Sequence, residues 1–339
     1  MKFKIILEKS HLLSILKDKP LLQLENKLTN LNTNISIEAN HVTTYHDNNF
    51  IYTSSKDKIR IYSPSLLEMS EFYVKNSVGV DKIFSLESLI ISTYESEQRK
   101  SIFIKEGLII KEINSFFGKI LNERFRLNFS EGVFVKPSSF RVSDLLDNKT
   151  YWEYKCSADK KATNLWIVRG DYLIFFENKF GTYVGNINKI HLTTGQIKWS
   201  TEIANINLHY NENLGLLVSF WANNELGKNY QIIDIDNETI ETGYPNTDYE
   251  LLNVNTLGET QYLAERKLYF IDSTNAYGKD LPIVKFGRFD LDTKKIDFLQ
   301  EVPEANGIGF LQVIYHEFKL YLRSYDNKLY IFEHESHDI

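Results

Sequence analysis

Short apolar runs come in pairs joined by polar turns, and the pairs recur along the whole chain. The clearest pair is Lys189–Trp199, where two strand-like runs flank Thr193-Thr194-Gly195. Glycine at that place supplies the positive φ that a tight hairpin needs. Related hairpins are read at Ile59–Leu67, Ile102–Ile109, Phe140–Trp152, Ile232–Ile240 and Arg288–Ile296. The residues just before the turns are Tyr62, Ile104, Leu146, Leu192, Ile235 and Leu291. They stand at steps of 42, 42, 46, 43 and 56, and a further 41 leads to Phe332. A period of roughly 40–45 residues with four strands per period marks a β-propeller. Seven markers predict one all-β propeller domain over residues 1–339, with seven four-stranded blades.

Two further apolar runs precede each hairpin, as in Leu165–Val168 with Tyr172–Phe176 and Phe310–Ile314 with Lys319–Leu322. Their unbroken apolar character suits strands covered on both faces. Little chain follows Phe332, so an N-terminal strand, Phe3–Leu7 or Asn34–Ala39, is expected to complete the C-terminal blade and protect a sheet edge. Ser10–Lys17 is expected as a short helix. If residues 1–40 instead form a full sheet, the count becomes eight. With 6 Pro and 16 Gly spread along the chain, no linker divides it.

Composition supports this picture and narrows function. Aromatic residues reach 14%, which favours pleated sheet over helix. Cys156 is the single cysteine, so an intrachain disulfide and a cysteine zinc site are both excluded. It reads as a small buried hydrophobe. A net charge of −6 argues against a nucleic-acid backbone binder and is compatible with a basic protein partner. The first apolar run stops at Glu8, and no run approaches 18 apolar residues. The expectation is a cytoplasmic monomer without a membrane segment.

The stretch Leu192–Trp199 resembles the T-G-x-x-x-W piece of quinoprotein-type (PQQ-like) propeller repeats, in which the Trp docks between neighbouring blades. Trp199 is the matching position. The hairpins at Ile235 and Leu291 match only the turn, and no Trp-Asp dipeptide of the WD40 type occurs. The resemblance implies a PQQ-like or WD40-like propeller class, and it implies no cofactor.

No motif of catalysis, phosphate binding or metal ligation stands out. His41 and His46 are five residues apart, and His334 and His337 lie near the C-terminus; all four read as surface histidines. Asp234, Asp236, Asp290 and Asp292 lack the spacing of a calcium loop and read as turn residues that bond nearby backbone N–H groups. Arg169-Gly170-Asp171 reads as a strand turn. Lys82, Arg124 and Glu250 are placed near the starts of innermost strands, where a propeller enzyme would carry its chemistry. The most informative feature is loop length. The second-to-third-strand stretches Glu177–Asn186, Ala222–Lys228 and Asp272–Pro282 read as long, and Phe180, Tyr183, Trp221, Tyr230 and Tyr277 belong to them or flank them. Long aromatic loops on a rigid scaffold suit partner binding. The expected function is a protein-binding scaffold of the immunity or inhibitor kind that caps a partner. A hydrolase or lyase working in the central channel, and a carbohydrate- or small-ligand-binding propeller, are the alternatives.

Overall fold

A computed structural model describes residues 2–7, 10–16, 19–24, 26–38, 42–45, 50–55, 57–95, 98–114, 118–129, 136–179, 182, 184–204, 207–223, 227–254, 259–274 and 283–333. Its strands form eight four-stranded antiparallel sheets. Blade 1 runs through Ser10–Leu16, Lys19–Leu24, Lys27–Asn30 and Ser36–Glu38. Blade 2 is Val42–Tyr45, Phe50–Ser55, Lys58–Tyr62 and Glu68–Tyr73, and blade 3 is Ser77–Ser85, Ser88–Glu95, Gln98–Lys105 and Leu108–Asn114. Blade 4 is Gly118–Ile120, Phe125–Phe129, Ser139–Asp144 and Thr150–Lys155. Blade 5 is Lys160–Arg169, Tyr172–Lys179, Val184–His191 and Ile197–Ala204. Blade 6 is His209–Asn211, Leu216–Asn223, Gly227–Asp234 and Thr239–Gly243, and blade 7 is Gln261–Ala264, Lys267–Ser273, Val284–Asp290 and Lys295–Glu301. Blade 8 takes Phe310–His316, Lys319–Ser324 and Leu329–Glu333 from the C-terminal end and Lys2–Leu7 from the N-terminal end.

The fold is therefore an all-β, eight-bladed propeller, and the expectation of seven blades is corrected. Both N-terminal possibilities are realised together. Lys2–Leu7 pairs antiparallel with Leu329–Glu333 and completes the last blade, which selects the first of the two expected candidates; the second, around Asn34–Ala39, supplies the outer strand Ser36–Glu38 of blade 1. Ser10–Leu16, expected as a helix, is instead a strand paired with Lys19–Leu24. The next strand follows at once, so the segment is held by cross-strand bonds to a partner whose Leu21 and Leu22 are buried. Blade 1 escaped the period because its third strand ends at Asn30, only 32 residues before the marker Tyr62.

Two compact units divide the chain. Residues 35–205 make one, and residues 1–34 with 206–339 make the other. Inside the first, blades 4 and 5 meet along an aromatic seam. Phe140 touches Trp152, Tyr154, Trp166 and Phe175, with centroid distances of 5.9, 5.4, 4.9 and 5.0 Å. Inside the second, blades 6 and 7 meet along another, where Phe220 faces Phe270 at 5.0 Å and Phe289 at 5.5 Å, and Tyr230 faces Phe289 at 5.1 Å. Offset and edge contacts of this kind add to plain area burial.

The turns between third and fourth strands follow the expected chemistry. Asp144 accepts from the N–H groups of Leu146 and Asp147, Asp234 from Asp236 and Asn237, and Asp290 from Asp292 and Thr293. A short side-chain oxygen two residues before the bend satisfies donors that the turn would otherwise leave open. Gly195 has the expected positive φ, at 70°. The residue at the same place in blade 7 is Lys294, at φ 58°.

Candidate partner-binding face between blades 6 and 7

The sequence predicts long loops between the second and third strands of blades 5, 6 and 7. The ladders shorten two of them. Asn178 pairs with Gly185 in blade 5, so four residues, 180–183, remain between the strands. Asn223 pairs with Gly227 in blade 6, leaving residues 224–226. The pairing continues because Gly227, at φ 75°, turns the chain back within the hairpin. Of these three, only the blade 7 stretch is long, since the strands end at Ser273 and restart at Val284; the corresponding stretch of blade 4, between Phe129 and Ser139, is of similar length. Phe180, Tyr183 and Tyr277 lie outside the described residues. Trp221 and Tyr230 sit on the two central strands of blade 6, each only 6% exposed. The four histidines named above also lie outside the described residues.

Of the three channel candidates, Lys82 does sit on the first strand of its blade, where it is buried. Arg124 is in the turn before Phe125, with its guanidinium 5.0 Å from the Phe125 ring and 5.6 Å from the Tyr151 ring. Glu250 is on no strand at all. It belongs to the feature that the sequence reading did not resolve, the connection of blade 6 to blade 7. That connection spans residues 244–260, and it is what lengthens the step of 56 between Ile235 and Leu291. Blade 4 reaches blade 5 through residues 156–159 alone.

The connection is fixed at both ends by backbone bonds. Asn246 N–H donates to the Lys294 carbonyl at 2.9 Å, and Ile296 N–H donates to the Asn246 carbonyl at 3.1 Å. Val254 N–H donates to Ala222 O at 2.8 Å, and Ser273 N–H donates to Asn253 O at 3.2 Å. Val254 thus bridges the second strands of blades 6 and 7. Its side chain is buried in their common core, with Leu251 packed against the same cluster. Asp272, fully buried, accepts from Leu252 N–H at 2.8 Å and Asn253 N–H at 2.6 Å. Burial pushes the Asp272 carboxyl up from its ordinary range, against the pull of those two donors. Gln261, the first residue of blade 7 strand, ties the seam from another side: its amide donates to Phe220 O and accepts from Phe220 N–H.

The outer side of the connection is different. Tyr244 is 78% exposed and Tyr249 40%. Asp248 and Glu250 are exposed beside them, and among the described residues neither carboxylate has an ion-pair partner. Lys285 reaches only the backbone carbonyl of Glu250, at 3.4 Å. The surrounding chain is strongly acidic. Residues 206–339 hold 22 acidic and 11 basic residues, whereas residues 35–205 hold 20 and 22. This segregation is visible in the sequence, although the net charge of −6 hides it.

Elsewhere the chemistry is quiet. Among the described residues no group of three His, Cys, Asp or Glu is placed to hold a metal ion. Cys156 is partly buried, and burial followed by the nearby Glu177 pushes its thiol up to about 12, which leaves it unreactive at neutral pH. His209, on the first strand of blade 6, is driven down to about 4 by burial, and its Nε2 has no hydrogen-bond partner among the described residues. No described helix is long and apolar enough to cross a membrane.

No family model and no curated protein matches the chain. Solved structures do. The computationally designed Ika8 protein matches at 10% identity over 96% of each chain with a TM-score of 0.52, a likeness of fold alone. BamB from Moraxella catarrhalis matches at 10% identity over 95% of this chain and 96% of its own, with a TM-score of 0.45. An oligogalacturonate lyase in complex with manganese matches at 13% identity over 85% and 87%, with a TM-score of 0.47.

Proposed function

We propose that this chain is a protein-binding propeller that caps a basic protein partner with the loop face of blades 6 and 7. The observation that carries the reading is the twofold excess of acidic over basic residues in 206–339. Such a field speeds encounter with a cationic partner and repels acidic ones. The described part of the connection, residues 244–254, offers an irregular and partly exposed surface held by backbone bonds to both blades. Loops of this length inside a compact domain commonly have functional roles. Of the aromatic residues proposed for the face, Tyr277 belongs to the blade 7 loop. Tyr230 is buried in the cluster shared by blades 6 and 7, and Trp221 is buried on the neighbouring strand of blade 6, so neither ring is itself a contact surface. Phe180 and Tyr183, also proposed as partner contacts, belong to the blade 5 loop.

Cross-linking mass spectrometry on complexes captured with the full chain tests this. The expected result is a basic protein whose cross-links cluster in residues 206–339 and whose capture falls as salt rises. Cross-links confined to 35–205, or capture indifferent to salt, would overturn the reading.

A further inference from the structure

The connection between blades 6 and 7 has two sides with different contents. Inward, Leu251 and Val254 join the apolar cluster, and Asp272 fixes the backbone at 252–253. That side fully explains why the segment is ordered. It explains nothing about Tyr244, Asp248, Tyr249 and Glu250, which all face solvent. A sealing segment needs no exposed aromatic rings. Here two rings stand within six residues of each other, interleaved with two unpaired carboxylates, on the most acidic part of the chain.

We infer that the outer side of residues 244–250 is the docking element for an extended Lys- or Arg-rich segment of the partner. This rests on the partner-binding reading above and deepens it. Charge complementarity selects the occupant. Asp248 and Glu250 offer acceptors to ammonium or guanidinium groups, and the faces of Tyr244 and Tyr249 attract the same cations. Tyrosine also adds large contact area at little conformational cost. The backbone is already held by Asn246 at one end and Val254 at the other, so little ordering cost opposes binding.

The test uses the full chain and a labelled decalysine peptide at low ionic strength, with decaglutamate as the opposite-charge control, read by fluorescence polarisation. Asp248→Asn with Glu250→Gln is expected to weaken decalysine binding about 5- to 10-fold. Tyr244→Ser with Tyr249→Ser is expected to weaken it about 3- to 5-fold, with melting unchanged because both rings are exposed. The matched control removes two charges from the turns joining the first and second strands of the same blades, Glu212→Gln with Glu265→Gln, and should cost less than about 2-fold. If the control weakens binding as much as the Asp248 and Glu250 pair, the docking element is overturned while the acidic-face reading stands. If decalysine binds no better than decaglutamate, the acidic-face reading itself falls.

Discussion

Two blade junctions, 4 to 5 and 6 to 7, show how one repeat is sealed in two ways. At the first, Trp152 on the outer strand of blade 4 reaches over to the next blade. Its Nε1–H donates to the Leu192 carbonyl at 2.7 Å, and its indole covers Gly195, where an added Cβ would meet the ring at 2.8 Å. Two residues on, Tyr154 stacks on Phe140. Register places Glu241 where Trp152 would be, opposite Ile232 on the ladder, and Gly243 where Tyr154 would be, opposite Tyr230. Both outer aromatics are therefore missing from blade 6. Glu241 instead pairs with Lys294 at 2.7 Å, on the turn equivalent to Leu192–Gly195. Gly243 lies against the Tyr230 ring, and the long connection follows, burying Leu251 and Val254 in the seam. A junction that loses its two sealing rings keeps its core only if other chain fills the gap. The filling segment then acquires an outer face that the repeat does not constrain.

The sharpest way to break the comparison is Trp152→Ala. It removes a ring from an aromatic cluster and orphans the Leu192 carbonyl, so a loss of about 3 kcal/mol is expected. Chemical denaturation should show it as a fall in midpoint. A loss under about 1 kcal/mol would mean that the indole does not seal this junction.

Acid separates the junctions next. His209, beside the 6–7 junction on the first strand of blade 6, has a folded pKa of about 4 against an ordinary value of 6.5. Its neutral form is the one folding favours. Stability from this group is complete above the unfolded pKa, declines as pH falls from 6.5 to about 4, and is level below. The shift corresponds to at most about 3 kcal/mol. His209→Gln should flatten the stability profile over that window, and an unchanged slope would refute the assignment.

Asp272→Ala should release the connection. Two backbone donors, Leu252 and Asn253, lose a buried acceptor, at a cost of about 2 kcal/mol. Hydrogen exchange at those two amides should rise while amides of the blade 4–5 seam stay protected. Equal loosening of both seams would show that the connection is not a separate seal.

How much of this was legible in the sequence follows from the same comparison. The hairpin turns were readable because Asp, Asn and Gly sit at fixed offsets where the backbone needs an acceptor or a positive φ. The need for a closing N-terminal strand was readable from the count of strands after Phe310, but the choice of Lys2–Leu7 over the stretch around Asn34–Ala39 was not. Blade 1 was not, because Lys27–Asn30 is a short third strand off the period and the run Ser10–Leu16 is as apolar as a helix face. The resemblance to PQQ-like repeats named Trp199, which stands opposite Lys189 on the outer strand of blade 5, the register position that Trp152 holds opposite Val142 in blade 4; Trp152, which the resemblance did not name, covers the blade 5 turn. Docking partners across blades are tertiary facts that a repeat period does not contain. The step of 56 did mark the connection 244–260. Its exposed and buried sides could not be told apart, since an irregular segment has no periodicity to assign faces.

The smallest expected effect tests the substitute for the missing Trp. Glu241 and Lys294 are partly exposed, so their ion pair should contribute less than about 1 kcal/mol. A double-mutant cycle with Glu241→Gln and Lys294→Met isolates it. Burial raises the Glu241 carboxyl, but hydrogen bonds from Lys294 and Tyr230 outweigh it and hold the group below the usual carboxylate range. A depressed carboxyl contributes stability above its unfolded pKa and loses it as pH falls through the folded value. The coupling should therefore be measurable at neutral pH and vanish in acid, below the window in which His209 acts. A coupling above about 2 kcal/mol would make the ion pair the principal seal and leave the connection without its structural role. A coupling near zero at neutral pH would place the sealing wholly on Leu251, Val254 and Asp272.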